Sequence, residues 1–156
     1  MIKIDIPGIN EINIENLVLD YNGTIACNGE VLPGVVEILQ RIKSKVTVYV
    51  LTADTYGTVK NKFENTGIKV HILENDNGTL EKYEFVKHIG LQKTLSIGNG
   101  NNDVSMLKAS VISIGVIGKE GCSSKVLMAA DIVVTDIIDA LALVEDPIKI
   151  KATLRS

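Results

Sequence analysis

The chain has no tryptophan, and its aromatic content is 4%. A base-stacking surface needs more rings than that, so single-stranded nucleic acid is a poor partner. A basic excess is missing too: 16 lysines and arginines stand against 19 aspartates and glutamates, a net charge of −3. That removes the electrostatic footprint of a nucleic-acid binder. Long apolar runs are absent. Residues 46–53 and 126–130 are among the longest, far short of the roughly 20 residues that cross a bilayer, so no membrane span is expected. The two cysteines, Cys27 and Cys122, have no CxxC spacing and no neighbouring histidine. A disulfide framework or a zinc site is therefore not expected. Charges interrupt the first apolar residues, so no signal peptide is expected, and a cytoplasmic protein is the default.

What remains is a globular composition. Of 156 residues, 46% are hydrophobic and 22% charged. A chain of this size buries roughly two-thirds of its unfolded surface, enough for one core. No repeat, low-complexity tract or Pro/Gly/Ser-rich linker divides it. The expectation is a single domain over residues 1–156.

Short apolar runs alternate with amphipathic ones. Asn16–Asp20 (NLVLD) and residues 46–52 (VTVYVLT) read as buried strands, with shorter candidates at 68–73, 95–98, 111–116 and 131–135. Several are apolar on both faces, which suits a parallel sheet covered by helices. Helical patterns occupy 33–45, 56–65, 80–89, 102–109, 123–130 and 137–144. Pro33 is placed at a first helical position, and Gly67 and Gly90 serve as stops. The alternation predicts an α/β fold, a three-layer Rossmann-like parallel sheet. Residues 2–6 and 11–14 are expected to form an antiparallel hairpin at one edge. The tail, 146–156, either finishes the last helix or packs on a neighbour.

Four features can carry chemistry, and three sit where predicted strands end, the ligand-binding edge of such sheets. In Asp20-Tyr21-Asn22-Gly23-Thr24 a carboxylate ends a buried strand and a Gly-Thr turn follows. It could attack phosphorus as a nucleophile, or merely cap a turn. In Leu51-Thr52-Ala53-Asp54 the Thr52 hydroxyl could bind a phosphoryl oxygen, while Asp54 or Thr55 caps the next helix. An ordinary cap explains that stretch as well. Lys82, early in its helix, could reach a phosphate and the aspartate; a solvated lysine is the common alternative. Lys87 competes but lies further along. Gly98-Asn99-Gly100-Asn101-Asn102-Asp103 offers a tight turn with oxygen ligands of the kind Mg²⁺ takes, or only a turn before a helix. His71 and His88 have no metal-ligand partner four residues on and receive no role.

Taken in order, Asp20-x-x-Gly23-Thr24, Thr52, Lys82 and Gly98-x-Gly100-x-Asn102-Asp103 resemble the haloacid dehalogenase (HAD) superfamily, over roughly residues 16–135. Within it, the chain is most similar to the phosphorylation domain of P-type ATPases: Thr52-Ala53-Asp54 resembles their Thr-Gly-Asp loop, and Glu81-Lys82 with Phe85-Val86-Lys87 their lysine helix. The resemblance implies a HAD-like fold and a Mg²⁺-dependent phosphohydrolase acting on a phosphorylated substrate. It implies that Asp20 is nucleophile and metal ligand, with the Asn22 carbonyl a second ligand. Thr52, Ala53, Lys82 and Asn22 would hold the substrate. Asp103 and Asn99 would complete the metal site.

Two positions depart from the family pattern. Asn22 stands where most phosphatases of the superfamily carry a general acid–base aspartate, a loss of about 10²–10⁴-fold in rate. P-type ATPases lack that aspartate as well. Asn99 stands where an aspartate is usual, which weakens metal binding. Residues 25–32 leave room for a small hairpin flap, and no large cap domain fits. An open site makes a homo-oligomer or a lid-forming partner plausible. The competing function is a phosphate- or Mg²⁺-binding regulatory module with little turnover. A response-regulator receiver fits less well, because its phosphorylated aspartate lies on a later strand.

Overall fold

The structure is a computed structural model and describes residues 1–9, 11–54, 57–74 and 78–156. In chain order its elements are β1 (Ile2–Ile4), β2 (Ile12–Ile14), β3 (Asn16–Asp20), β4 (Ala26–Cys27), β5 (Glu30–Val31), α1 (Val35–Ile42), β6 (Thr47–Thr52), α2 (Thr58–Lys62) and β7 (Lys69–Ile72). Then follow α3 (Gly78–Ile89), β8 (Thr94–Gly98), α4 (Val104–Ala109), β9 (Ile112–Val116), α5 (Ser124–Ala129), β10 (Ile132–Val134), α6 (Ile137–Glu145) and α7 (Ile148–Leu154).

Among the described residues the main sheet has six strands in the order β10-β9-β8-β3-β6-β7, every pair parallel. This is the three-layer α/β fold that the sequence pattern predicts. β3 is buried along its whole length, because helices cover both faces of its sheet. Alternation along the strand divides the core. Leu17 and Leu19 pack with α1 and α6. Val18 faces the other way, into a cluster with Leu51, Val86 of α3 and Met106 of α4. Asp20 has the parity of Val18, so it ends the strand on the α3 side.

Register sets the site. Asp20 pairs with Leu51, the residue before Thr52. Leu19 pairs with Ile97, the residue before Gly98. Asp20, Thr52 and Gly98 therefore reach one sheet edge together. The chain leaves β3 towards β6 and β7 and returns on the other side at β8, so that edge lies at a topological switch point, where open α/β sheets bind ligands.

Several element boundaries differ from expectation. Pro33 is not the first helical residue: Gly34, at φ 82°, separates it from α1 and caps the helix, a left-handed conformation that glycine adopts without strain. The helix expected over 56–65 is the shorter α2; Tyr56 and the alternative cap Thr55 lie outside the described residues. The helix expected from 102 starts as a 3₁₀ turn, Asn101–Asp103, before α4. The β1–β2 hairpin is antiparallel, but it forms its own sheet instead of extending an edge. Its isoleucines are buried in the core. The tail is a separate helix, α7, because Pro147 at its cap has no N–H with which to continue α6. The β4–β5 hairpin (Ala26–Val31 and Cys27–Glu30 pairs) is the small flap expected between residues 25 and 32. No cap domain is inserted among the described residues, and no helix there is long and apolar enough to cross a membrane.

Candidate active site

Three charged side chains meet at the end of β3. Lys82 Nζ lies 2.5 Å from Asp20 Oδ1 and 2.7 Å from Asp103 Oδ1. Lys82 is 1% exposed and Asp103 0%, so neither is a surface residue. On α3, Lys82 and Val86 are the buried pair. Spaced i and i+4, they share one helix face: Val86 anchors it in the core and Lys82, one turn nearer the helix start, extends into the site. Lys87 is the solvated lysine, beside Glu84 at the surface.

Asp103 is held on both oxygens. Oδ1 accepts from Lys82, and Oδ2 accepts from the backbone N–H groups of Asn99 and Gly100, each at 2.9 Å. The loop after β8 thus wraps its own carboxylate. Gly98 is required by that approach. A Cβ there would stand 2.6 Å from the Asp103 carboxyl carbon, and Asp103, bonded on both oxygens, has nowhere to move. Gly98→Ala is expected to destabilise the chain by about 1–3 kcal/mol, seen as a lower midpoint in urea unfolding.

Thr24 ties a second loop to the first. Its hydroxyl lies 3.2 Å from Asp20 Oδ2 and 3.1 Å from Asn99 Oδ1. With one proton, it donates to one of the two at a time. Asn99 is tied on its other side, where Nδ2 donates to the Gly121 carbonyl at 3.1 Å. Asn99 is therefore a strut between the loop after β3 and the loop after β9, a role its residue type did not announce. Gly23, at φ 80°, sits against the same amide, 2.4 Å from its nitrogen were a Cβ present.

Thr52 is buried at the end of β6, and its Oγ1 accepts from the Asp54 N–H at 3.3 Å. Asp54 Oδ2 accepts from Val59 N at 2.7 Å and from the Thr58 hydroxyl at 3.1 Å, so Asp54 caps α2 from beyond its glycine N-cap. Ala53 and Asn22 are exposed at the mouth of the site. Asn22 carries no charge there, and its backbone bridges to Ala26 of the flap.

The electrostatics follow from burial. Burial raises the Asp20 carboxyl to about 6, with Asp103 adding to the rise and Lys82 and Thr24 opposing it. Burial alone would lower Lys82, yet Asp20 and Asp103 outweigh it and hold the ammonium above its usual value. Two carboxylates and one ammonium leave the cluster at −1, a setting that attracts a cation.

No protein-family model matches the chain. Over 64 residues it is 50% identical to Uncharacterized protein MJ0073 of Methanocaldococcus jannaschii, which covers 41% of this chain and 69% of that protein. It is 52% identical over 46 residues to human Phospholipid-transporting ATPase IH, 27% of this chain and 4% of the ATPase. Among solved structures, a HAD family hydrolase from Streptomyces avermitilis aligns at a TM-score of 0.65 and 23% identity, over 85% of this chain and 84% of that one. The chain has a capless haloacid dehalogenase fold and belongs to the family of the archaeal protein. The 3-deoxy-D-manno-octulosonate 8-phosphate phosphatase of Moraxella catarrhalis shares this HAD fold at a TM-score of 0.66 and 17% identity, over 91% of this chain and 94% of its own. That structure holds magnesium, phosphate and a sugar acid.

Proposed function

We propose that the chain is a magnesium-dependent phosphohydrolase that forms an aspartyl phosphate on Asp20. The observation that carries this reading is the buried Asp20–Lys82–Asp103 cluster at the switch point of a HAD fold. An ion pair placed there for stability alone would be a poor choice, since burying charge costs more than an apolar substitute. Such costs are concentrated at functional sites.

The Asp20 carboxylate attacks the phosphorus of a phosphorylated substrate. The bond to the leaving oxygen breaks, and that oxygen takes a proton from solvent. Water then attacks the phosphorus, the bond to Asp20 breaks, and inorganic phosphate leaves. Lys82 offsets the charge that gathers on the phosphoryl oxygens. The Thr52 hydroxyl accepts from Asp54 N–H, which leaves its own proton to give to one of those oxygens. Ala53, at the mouth, presents backbone to the same group.

The donor set fits magnesium. Asp20, Asp103, the Asn99 amide and the Asn22 carbonyl supply oxygen, the hard ligand type that ion takes, and one or two carboxylates suffice beside water and phosphate. Among the described residues no larger cluster of His, Cys, Asp and Glu gathers to hold a different metal. Asp103, with both oxygens already accepting, suits contact through water. When bound, the ion stabilises charge on the transferring phosphoryl group.

Asn22 can neither protonate a leaving group nor activate water. The test is hydrolysis of an aryl phosphate. Slow, magnesium-dependent turnover that EDTA removes is expected, and Asn22→Asp should raise it by about 10²-fold. Binding of a phosphate analogue with no turnover in either protein would replace the enzyme with a phosphate- or magnesium-binding regulatory module, the reading that Asn22 and Asn99 favour.

A further inference from the structure

A second concave site lies under the flap, beyond the ends of β9 and β10, with a volume of about 180 Å³. We propose that it binds a small, neutral, polyhydroxylated ring of monosaccharide size, separately from the phosphoryl site.

The cleft is pre-formed. The β4–β5 turn above it is fixed from three directions: Tyr21 Oη donates to Gly29 O at 2.8 Å, Lys62 Nζ bonds Gly29 O and Glu30, and Asn28 N donates to Glu120 Oε1 at 3.0 Å. The flap therefore stays in place over the cleft, as binding sites generally require.

Size and chemistry restrict the occupant. An apolar cavity of about 150 Å³ holds benzene, so this cleft admits one ring and excludes a nucleotide. Val116, Ile137 and Leu32 supply apolar surface for the C–H face of such a ring. The rim carries Lys119, Glu120, Thr135 and Asp136. Glu120 and Asp136 each commit one oxygen to a backbone N–H, which leaves the other to accept from a ligand hydroxyl. Lys119 makes no ion pair with the described residues, and it and Thr135 supply donors. One positive charge against two negative ones repels an anion, so phosphate and carboxylates are poor ligands. Donors and acceptors on one rim, beside an apolar floor, match the hydroxyls and the C–H face of a free sugar.

Thr24 lines the cleft and also bonds Asp20, so occupancy is felt at the nucleophile. Binding itself does not depend on turnover. Cys27, half-buried, lines the cleft, whereas Cys122 is no part of it and serves as the internal control. The experiment is iodoacetamide alkylation of the intact chain, followed by mass spectrometry, with D-ribose, D-glucose, inorganic phosphate or benzoate present at rising millimolar concentrations. Backbone amide shifts of Val116 and Ile137 are followed in parallel. The expected result is several-fold slower alkylation of Cys27 with a sugar, no change at Cys122, and sugar-dependent shifts at both amides. Thr135→Trp, at an exposed position, should fill the cleft and abolish both sugar effects. Protection by phosphate or benzoate in place of sugars would overturn the proposal. So would an absence of both protection and shifts with either sugar.

Discussion

Asp20→Asn is expected to abolish the phosphoenzyme and to lower aryl phosphate hydrolysis by at least about 10⁴-fold, as removal of a covalent nucleophile does. The same substitution should leave the chain more stable at neutral pH. Burial and Asp103 push the Asp20 carboxyl up from 3.8 to about 6, so its charged form is disfavoured in the folded state. The sign follows from linkage: an acid with a raised folded pKa lowers stability once pH exceeds the unfolded value, and the penalty is complete above the folded value. Between about pH 4 and pH 6 the natural chain should therefore lose stability that the variant keeps. Above that window the variant should be ahead by about 1–3 kcal/mol. Urea unfolding at pH 4 and pH 8, with phosphoenzyme trapping by acid quench, reads both effects. Lost activity in a better-folded chain separates removal of the nucleophile from damage to the fold. Hydrolysis that survives unchanged in the variant would refute an Asp20 intermediate.

Under the proposed function, this opposition between stability and activity accounts for the cluster's construction. A core can be filled with apolar side chains at lower cost, as β3 shows from Leu17 to Leu19. At Asp20 the strand gives up that advantage, and Lys82 recovers part of it. The strand end is rigid because its neighbours fix register on both sides. Under the proposed reaction, such rigid placement would spare Asp20 any reorganisation when charge develops at phosphorus.

The strands of this sheet were largely legible in the sequence, because runs such as NLVLD and TVYVLT are apolar on both faces and little else tolerates them. Element ends were less so. The start of α1 depended on Gly34 taking a positive φ, which composition does not reveal, and Pro33 nearby suggested an earlier start. The independence of the β1–β2 hairpin from the main sheet is a tertiary outcome with no local signal. In the site, Asp20 and Asp103 stood out by position after strands. Lys82 was preferable to Lys87 because it lies nearer the start of its helix; that it shares a buried face with Val86 is what the structure adds. Its double engagement with Asp20 and Asp103 was not visible, since it requires the loop after β8 to come back beside α3. The part played by Thr24 and Asn99 was likewise hidden: it rests on a contact across 75 residues between two loops. Asn99, noted for the charge it lacks, turns out to be useful for carrying both a donor and an acceptor, which an aspartate there would not.

Lys82→Met is expected to remove hydrolysis and to cost about 3–5 kcal/mol of stability, the range for breaking a buried ion pair from one side. Methionine fills most of the space, so packing is a minor part of that loss. The major part is two buried carboxylates, Asp20 and Asp103, left facing each other without the ammonium that now touches both. For a chain of this length such a loss lowers the melting temperature by roughly 6–20 °C. The pH dependence has a definite direction. The Lys82 ammonium is held above its usual value, so its contribution is complete below the unfolded value of 10.5 and disappears as pH rises through the folded one. Throughout the neutral range the full effect of the substitution should be seen. At pH 5 the loss should be smaller than at pH 8, because protonation of Asp20 leaves one buried carboxylate instead of two and removes the repulsion between them. Lys87→Met is the control, since that side chain is exposed beside Glu84, and it should change stability by less than about 0.5 kcal/mol. Lys82→Arg keeps the charge but places a planar fork where a compact ammonium now reaches two oxygens, so it should recover stability in part and activity poorly. Equal stability of the Lys82→Met and Lys87→Met chains at pH 8 would show that the Asp20–Lys82–Asp103 contacts do not persist in solution.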